Sequence, residues 1–300
     1  MSINGKQSDF GTILTAIITP FKPDGSVDFK RFKALASYLV EHGSEGLVVT
    51  GSTGEAPTLS DREKLMLYYA AVEEVGERAT VIAATGTYDT RHTAYLTAQA
   101  AEFVDGFLIV VPYYLKPPVR GIVEHFKAVA GATEKPIVVY NIPGRVIVNV
   151  EPETFIELAE IANVVAVKQA NPDLEQARRI VEETPLALYA GDNDLVLPFL
   201  ELGAAGGICY HTHLAGLKVQ EMVRRFRTGN LTGARALNDE LRPLIDALEV
   251  CVNPISTKAA LNLAGFDVGG LRLPLVEATR EETERIHELL EQAGVLESAT

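Results

Sequence analysis

Cysteine is scarce in this 300-residue chain, with only Cys209 and Cys251 present. Two thiols cannot build a disulfide framework, and neither stands in a metal-ligand spacing. Basic residues are also in deficit: 27 Lys and Arg against 40 Asp and Glu leave a formal net charge of −13. That balance disfavours a nucleic-acid or anionic-membrane partner, because phosphate binding needs a basic surface. Acidity of the whole chain says nothing about a local anion site, so an acidic substrate stays open. No apolar run approaches the ~20 residues of a membrane span. Residues 1–10 are polar and lack the apolar stretch of a signal peptide. The expectation is a cytoplasmic protein.

What the sequence does have is a repeated alternation. Short apolar segments rich in Val, Ile and Leu fall at residues 13–19, 46–50, 80–85, 106–111, 136–140, 164–168, 187–190 and 206–210. Each is nearly continuous rather than alternating, the signature of strands buried on both faces. Amphipathic helical stretches separate them, at 29–41, 61–75, 92–103, 122–133, 152–161, 173–183 and 194–202. Eight strand–helix units predict a closed parallel (β/α)8 TIM barrel, which commonly takes roughly 250 residues as one unit. An open doubly wound sheet usually carries a Gly-rich phosphate turn after its first strand. Thr19-Pro20-Phe21 is not one. Beyond Tyr210 only helices are predicted, at 217–227, 232–250, 254–263 and 280–293, with breaks at Gly229-Asn230 and between Gly265 and Pro274. The expected organisation is a catalytic barrel over 11–227 and a helical region over 228–300 packed on it.

Active sites of such barrels lie at the C-terminal ends of the strands. Those ends carry Ser52 and Thr53, Tyr113 and Tyr114, Tyr140, and Lys168. A lysine closing the run Val164-Val165-Ala166-Val167 is partly desolvated, which favours the neutral amine that attacks a keto acid. Its alternative is a rim lysine paired with a carboxylate. Tyr140 offers the proton shuttle that imine formation needs; its alternative is a tyrosine bonded to a backbone carbonyl. In Gly51-Ser52-Thr53-Gly54-Glu55 two glycines permit a tight turn with exposed N–H groups, suited to a carboxylate, or an ordinary turn. Arg145 could grip a second carboxylate in a bidentate fork, or stand solvated at the surface.

From about Gly11 to the C-terminus the chain resembles the dihydrodipicolinate synthase/N-acetylneuraminate lyase family of class I, pyruvate-dependent aldolases. The matching motifs are Thr19-Pro20-Phe21, Gly51-Ser52-Thr53-Gly54-Glu55, Pro112-Tyr113-Tyr114, Tyr140-Asn141-Ile142-Pro143-Gly144-Arg145, Val167-Lys168, Gly191-Asp192 and Leu273-Pro274. The resemblance implies Lys168 as the Schiff-base lysine and Tyr140 as the acid/base. It implies Ser52 as a relay hydroxyl, where the synthases usually have threonine. Tyr114 matches a relay tyrosine that enters from a neighbouring subunit of a homotetramer, a dimer of dimers. Thr53 and the adjoining amides are implied to hold the pyruvate carboxylate, Ile208 to line its methyl side, and Arg145 to bind the carboxylate of L-aspartate 4-semialdehyde. The implied reaction is condensation of these two substrates, the first committed step of the diaminopimelate route to lysine. It needs no metal or organic cofactor, because the imine is the electron sink.

Some positions depart from that pattern. Val146-Ile147 replaces the common Thr-Gly, and Tyr210-His211-Thr212-His213 is bulkier than expected after strand eight. Ser52 and Gln169 both occur in lyases of sialic acid and related sugar acids, whereas Arg145 favours the synthases. The alternative is therefore a lyase, aldolase or dehydratase releasing pyruvate from a sugar acid or other 2-keto acid by the same imine. A different class is a metal-dependent hydrolase or aldolase using His211 and His213; another is a catalytically silent sensor of keto acids. Ala56, Asp61, Lys64, Tyr88 and His92 fall where lysine-inhibited relatives carry polar ligands and do not reproduce the set. Strong lysine feedback is not expected.

Overall fold

A computed structural model describes residues 10–296. The polar leader at 1–9 and the end of the helical region at 297–300 lie outside the described residues. Eight parallel strands close in sequence order into a barrel: β1 (Ile13–Ala16), β2 (Gly46–Val49), β3 (Thr80–Ala84), β4 (Gly106–Val110), β5 (Ile137–Asn141), β6 (Val164–Gln169), β7 (Ala187–Ala190) and β8 (Gly206–Cys209). Leu14 of β1 lies opposite Ile208 of β8, which closes the ring and leaves no unpaired edge. The expected (β/α)8 barrel is the observed fold. Several strands are shorter than their apolar runs, β1 most of all: it ends at Ala16, and residues 17–19 lie buried beyond it.

Around the barrel run α1 (Phe29–Glu41), α2 (Asp61–Val75), α3 (Thr90–Ala100), α4 (Val119–Ala130), a short α5 (Pro143–Val146), α6 (Pro152–Ala159), α7 (Leu174–Glu183), α8 (Val196–Glu201) and α9 (Thr212–Arg227). Local chemistry sets their starts. Ser60 and Glu63 form a reciprocal capping box on α2, and the Asp28 and Asp173 carboxylates cap α1 and α7. Asp89 does the same for α3, which therefore begins two residues before the expected 92. Helix α9 starts at Thr212 rather than 217, with a break at Ala215 (φ −137°) beside Gly216. A side chain at Gly216 would stand 2.2 Å from the His42 carbonyl oxygen, so close passage of two backbones fixes glycine there.

Side-chain alternation along the strands divides the apolar residues into two shells. Leu14, Val48, Ile82, Leu108, Val138, Tyr140, Ala166 and Ile208 fill the barrel interior. Leu47, Val81, Phe107, Val139, Val167 and Leu188 face the helices. Both Tyr140 and the interior positions of β6 obey this parity, so Lys168, two residues after Ala166, also points inward. No helix among the described residues is long and apolar enough to cross a membrane.

Three further helices, α10 (Leu231–Glu249), α11 (Ile255–Leu263) and α12 (Arg280–Gln292), share a core around Leu248, Ile286 and Leu290. One buried ion pair ties them to the barrel: Lys258 Nζ of α11 lies 2.6 Å from the Glu55 carboxylate, with both side chains essentially inaccessible. Lys258 also donates to the Gly270 carbonyl at 2.7 Å and stands 4.1 Å from the Phe21 ring centroid. Burial lowers the lysine to about 8, an effect opposed by Glu55. Beside it Arg272 stacks on Phe21 and pairs with Glu63, holding that carboxyl down to about 2.

Removing one partner of such a pair leaves a buried, uncompensated charge, which costs ~3–5 kcal/mol. We expect Lys258→Met to lose stability on that scale in urea unfolding, and Lys258→Met with Glu55→Gln to recover part of the loss. A single variant as stable as the unmodified protein contradicts this account.

Candidate active site

Tyr140 and Lys168 lie opposite each other on β5 and β6, and Lys168 Nζ is 4.3 Å from the Tyr140 ring centroid. Together with Ser52, Thr53, Arg145, Asp192 and other mouth residues they line a narrow cavity of about 40 Å³ at the C-terminal end of the barrel. That is room for about three water-sized groups. Ala16, Val48 and Leu108, which belong to the inner apolar shell or pack with it, form its base. A wider cavity of about 300 Å³ adjoins it, sharing Ser52, Tyr140 and Arg145 and extending past Tyr113, Val146 and Lys64.

Burial is the main influence on the reactive groups. It lowers the Lys168 ammonium to about 8, opposed by the Cys209 thiol and the Asp192 carboxylate and reinforced by Arg145. The thiol is itself pushed well up by burial and stays neutral, so Asp192 is the counter-charge. Asp192 is raised by burial and lowered by Lys168. At pH 7 a group of pKa about 8 is neutral in roughly a tenth of molecules, hundreds of times more than an ordinary lysine. Burial also raises the Tyr140 phenol, and its hydrogen bond with the Ser52 hydroxyl partly offsets the shift. A largely neutral phenol beside a partly neutral amine can pass a proton either way.

The segment after β2 forms a tight turn. Left-handed backbone falls on Thr50 (φ 56°) and Glu55 (φ 57°), not on the glycines between them. Thr50 is held there by its hydroxyl, 2.7 Å from the Tyr68 phenol and 3.1 Å from the Ala84 carbonyl oxygen. Gly54 is crowded: a side chain there would meet the Ile17 carbonyl oxygen at 3.1 Å. The amides of Gly54, Glu55 and Ala56 bond back to Gly51 and Ser52 within the turn. No backbone carbonyl among the described residues takes the amides of Ser52 and Thr53, which adjoin the cavity.

Arg145 stands at the mouth on α5, a one-turn helix, and its Nη2 donates to the Asn253 carbonyl at 2.8 Å. Asn253 comes from the C-terminal helical region and had no sequence signal of its own; only the packing of α11 over the mouth brings it in. Asp192 directly follows β7 and could have been found by the strand-end rule.

Other expected residues lie elsewhere. Ile208 is fully buried in the inner apolar shell rather than on the cavity wall, because β8 places it one layer below the mouth. Tyr114 (φ 69°) is 85% exposed outside the cavity. Gln169 points outward and is bonded to Asn141 and Gln176, so it does not face a substrate. The metal alternative for His211 and His213 is corrected. The His213 ring receives the Ile18 amide at 3.3 Å and lies 2.7 Å from the Tyr210 carbonyl oxygen, which occupies both its nitrogens. Burial lowers His211 to about 3 and His213 to about 4. Among the described residues no group of three His, Cys, Asp or Glu is placed to hold a metal.

Residues 9–293 match the model of the dihydrodipicolinate synthetase family. The chain is 48% identical over 290 residues to a 4-hydroxy-tetrahydrodipicolinate synthase of Moorella thermoacetica, covering 96% of this chain and 99% of the relative. It is 47% identical over 293 residues to the same-named protein of Desulforamulus reducens, with the same coverage. The crystal structure of the Cyanidioschyzon merolae dihydrodipicolinate synthase with lysine bound superposes with a TM-score of 0.94 at 41% identity, over 96% of this chain and 99% of that one.

If Lys168 is the amine that reacts, cyanoborohydride trapping of a small keto acid accelerates with pH through an inflection near pH 8 and levels off above it. Asp192→Asn removes the anion that favours the ammonium, so we expect its inflection at lower pH. An inflection that stays put or rises refutes the electrostatic account.

Proposed function

The chain belongs to the dihydrodipicolinate synthetase family, and from that premise we propose that it condenses pyruvate with L-aspartate 4-semialdehyde, as a 4-hydroxy-tetrahydrodipicolinate synthase of lysine biosynthesis. The observation that carries the reading is the buried Lys168 amine beside the Tyr140 phenol, in a cavity that also presents Thr53 and Arg145.

In this reading neutral Lys168 attacks the pyruvate carbonyl carbon. The carbinolamine loses water as Tyr140 supplies a proton, leaving an imine on Nζ. Loss of a methyl proton gives the enamine, whose carbon attacks the aldehyde carbonyl; the new oxyanion takes up a proton. The imine is the electron sink, so no metal or organic cofactor is required. The Ser52 and Thr53 amides and the Thr53 hydroxyl hold the pyruvate carboxylate, and Ser52 passes protons to and from Tyr140. Arg145 takes the carboxylate of the semialdehyde, which occupies the wider cavity. The protein works in the cytoplasm as a homotetramer, a dimer of dimers in which the exposed Tyr114 reaches the site of a neighbouring subunit.

A sugar-acid lyase with the same imine remains the competing reading. Gln169, one of the residues that favoured it, faces away from the cavity, whereas Arg145 lines it. Strong lysine feedback is not expected because Ala56, Asp61, Lys64, Tyr88 and His92 do not reproduce the ligand set, and Asp61 lies 2.9 Å from His92 Nε2 and 4.0 Å from Lys64 Nζ.

We expect robust consumption of pyruvate with L-aspartate 4-semialdehyde and a loss of at least ~tenfold in kcat/KM in Arg145→Ala, the scale of a charge-assisted carboxylate contact. A protein that traps pyruvate but ignores the semialdehyde is instead the sugar-acid lyase. Addition of L-lysine at low concentration should leave the rate unchanged; half-maximal inhibition there contradicts the reading of the Asp61 cluster.

A further inference from the structure

We propose that Asn253 is a positioning residue whose amide turns the Thr53 hydroxyl into a donor aimed at the carboxylate of the bound keto acid. The inference rests on the functional reading above and names a residue that the barrel itself does not supply.

The amide lies between two threonine hydroxyls. The Thr257 hydroxyl, buried in the first turn of α11, donates to Asn253 Oδ1 at 2.8 Å. The opposite end of the amide, Nδ2, therefore faces Thr53 and donates to its Oγ1 at 2.9 Å. A hydroxyl has one proton and two lone pairs. Once a lone pair of Thr53 is taken by an N–H, its own proton is left to donate elsewhere, and the cavity is where an anion sits. With the amide reversed, Thr53 would spend its proton on Oδ1 and present lone pairs to a carboxylate. In the proposed chain Thr257 holds Oδ1 of Asn253, and Asn253 in turn leaves Thr53 as a donor.

The same residue reaches the second anion site. Its carbonyl oxygen accepts from Arg145 at 2.8 Å, so one residue spans the groups assigned to the carboxylates of both substrates. Its frame is stiff: five residues on, Lys258 anchors α11 to Glu55, which ends the turn bearing Thr53.

Asn253→Asp is nearly isosteric but replaces the donor with an acceptor. At pH 8 we expect its KM for pyruvate to rise by ~tenfold or more, the scale of a hydrogen bond to a charged group, with a smaller change in kcat. The defect should shrink as pH falls towards the carboxyl range of ~4, where a protonated Asp donates again. Lys168, Tyr140, Asp192 and Tyr210 face the same cavity in both proteins, as does the charge of Arg145, so the ratio of variant to unmodified protein is the quantity to read. Thr257→Val, which leaves the cavity wall intact, should raise the pyruvate KM several-fold by freeing the amide to turn. It decides the matter alone if Asn253→Asp does not fold. An unchanged pyruvate KM in the variants, or an Asp defect equal at every pH, overturns the inference. An unmodified protein that captures no pyruvate on Lys168 overturns the functional reading and this inference with it.

Discussion

The site depends on one constraint: an amine must be held where water cannot keep it charged. Lys168 meets it by occupying an inward position at the end of a strand whose earlier inward residue, Ala166, lies in the apolar core. Burial lowers the amine to about 8. A deeper, unaccompanied lysine would fall further and lose the positive charge that attracts an anionic keto acid. Asp192 limits the fall and Arg145 supplies positive potential nearby. The net charge of −13 is therefore no guide to the mouth of the barrel, where the local field is set by three side chains.

A barrel alone does not complete this mouth. The C-terminal helices cover it, and they do so through polar contacts rather than through apolar packing alone. Lys258 on Glu55 and Asn253 on Thr53 grip the same turn at two points. Arg272 fastens the segment after α11 to Thr58 and Glu63, just beyond that turn. A buried ion pair contributes little net stability compared with an apolar pair of equal volume, but it tolerates few alternative placements. We read Glu55–Lys258 as a registration device: it fixes where α11 sits, and with it where Asn253 stands.

Strand order, barrel closure and the Tyr140–Lys168 pairing were legible in the sequence because each follows from local periodicity and from parity along a strand. Helix starts were readable only to within a turn; Asp89 advanced one of them, and the break at Ala215 disguised another. The Gly51–Glu55 turn was found, but not its left-handed positions: the Thr50 hydroxyl, bonded to the Tyr68 phenol and donating to the Ala84 carbonyl, holds a threonine in that conformation. Asn253 was invisible for a different reason. Its contacts are with residues about 200 and 108 positions away, and neither composition nor spacing encodes them. His211 and His213 entered as an alternative ligand pair because spacing reports residue type and not surroundings: backbone groups meet both nitrogens of His213, and the Asn193 side chain meets Nδ1 of His211.

Within one chain the hydroxyl path runs from Tyr140 to Ser52 and no further towards Tyr114, which points into solvent. In the proposed relay a proton leaving Ser52 passes to water or to a group that another chain provides. Water in the mouth works against the desolvation that lowers Lys168, so an open path weakens the feature on which imine formation depends. A phenol inserted from a neighbouring subunit resolves the conflict, because it carries the proton while its ring excludes solvent. Tyr114 has the shape for that role: a left-handed backbone (φ 69°) projects an aromatic side chain with 85% of its surface uncovered. In the proposed tetramer, assembly and amine chemistry would be one problem, since the contact that completes the relay would also be the one that keeps the amine dry.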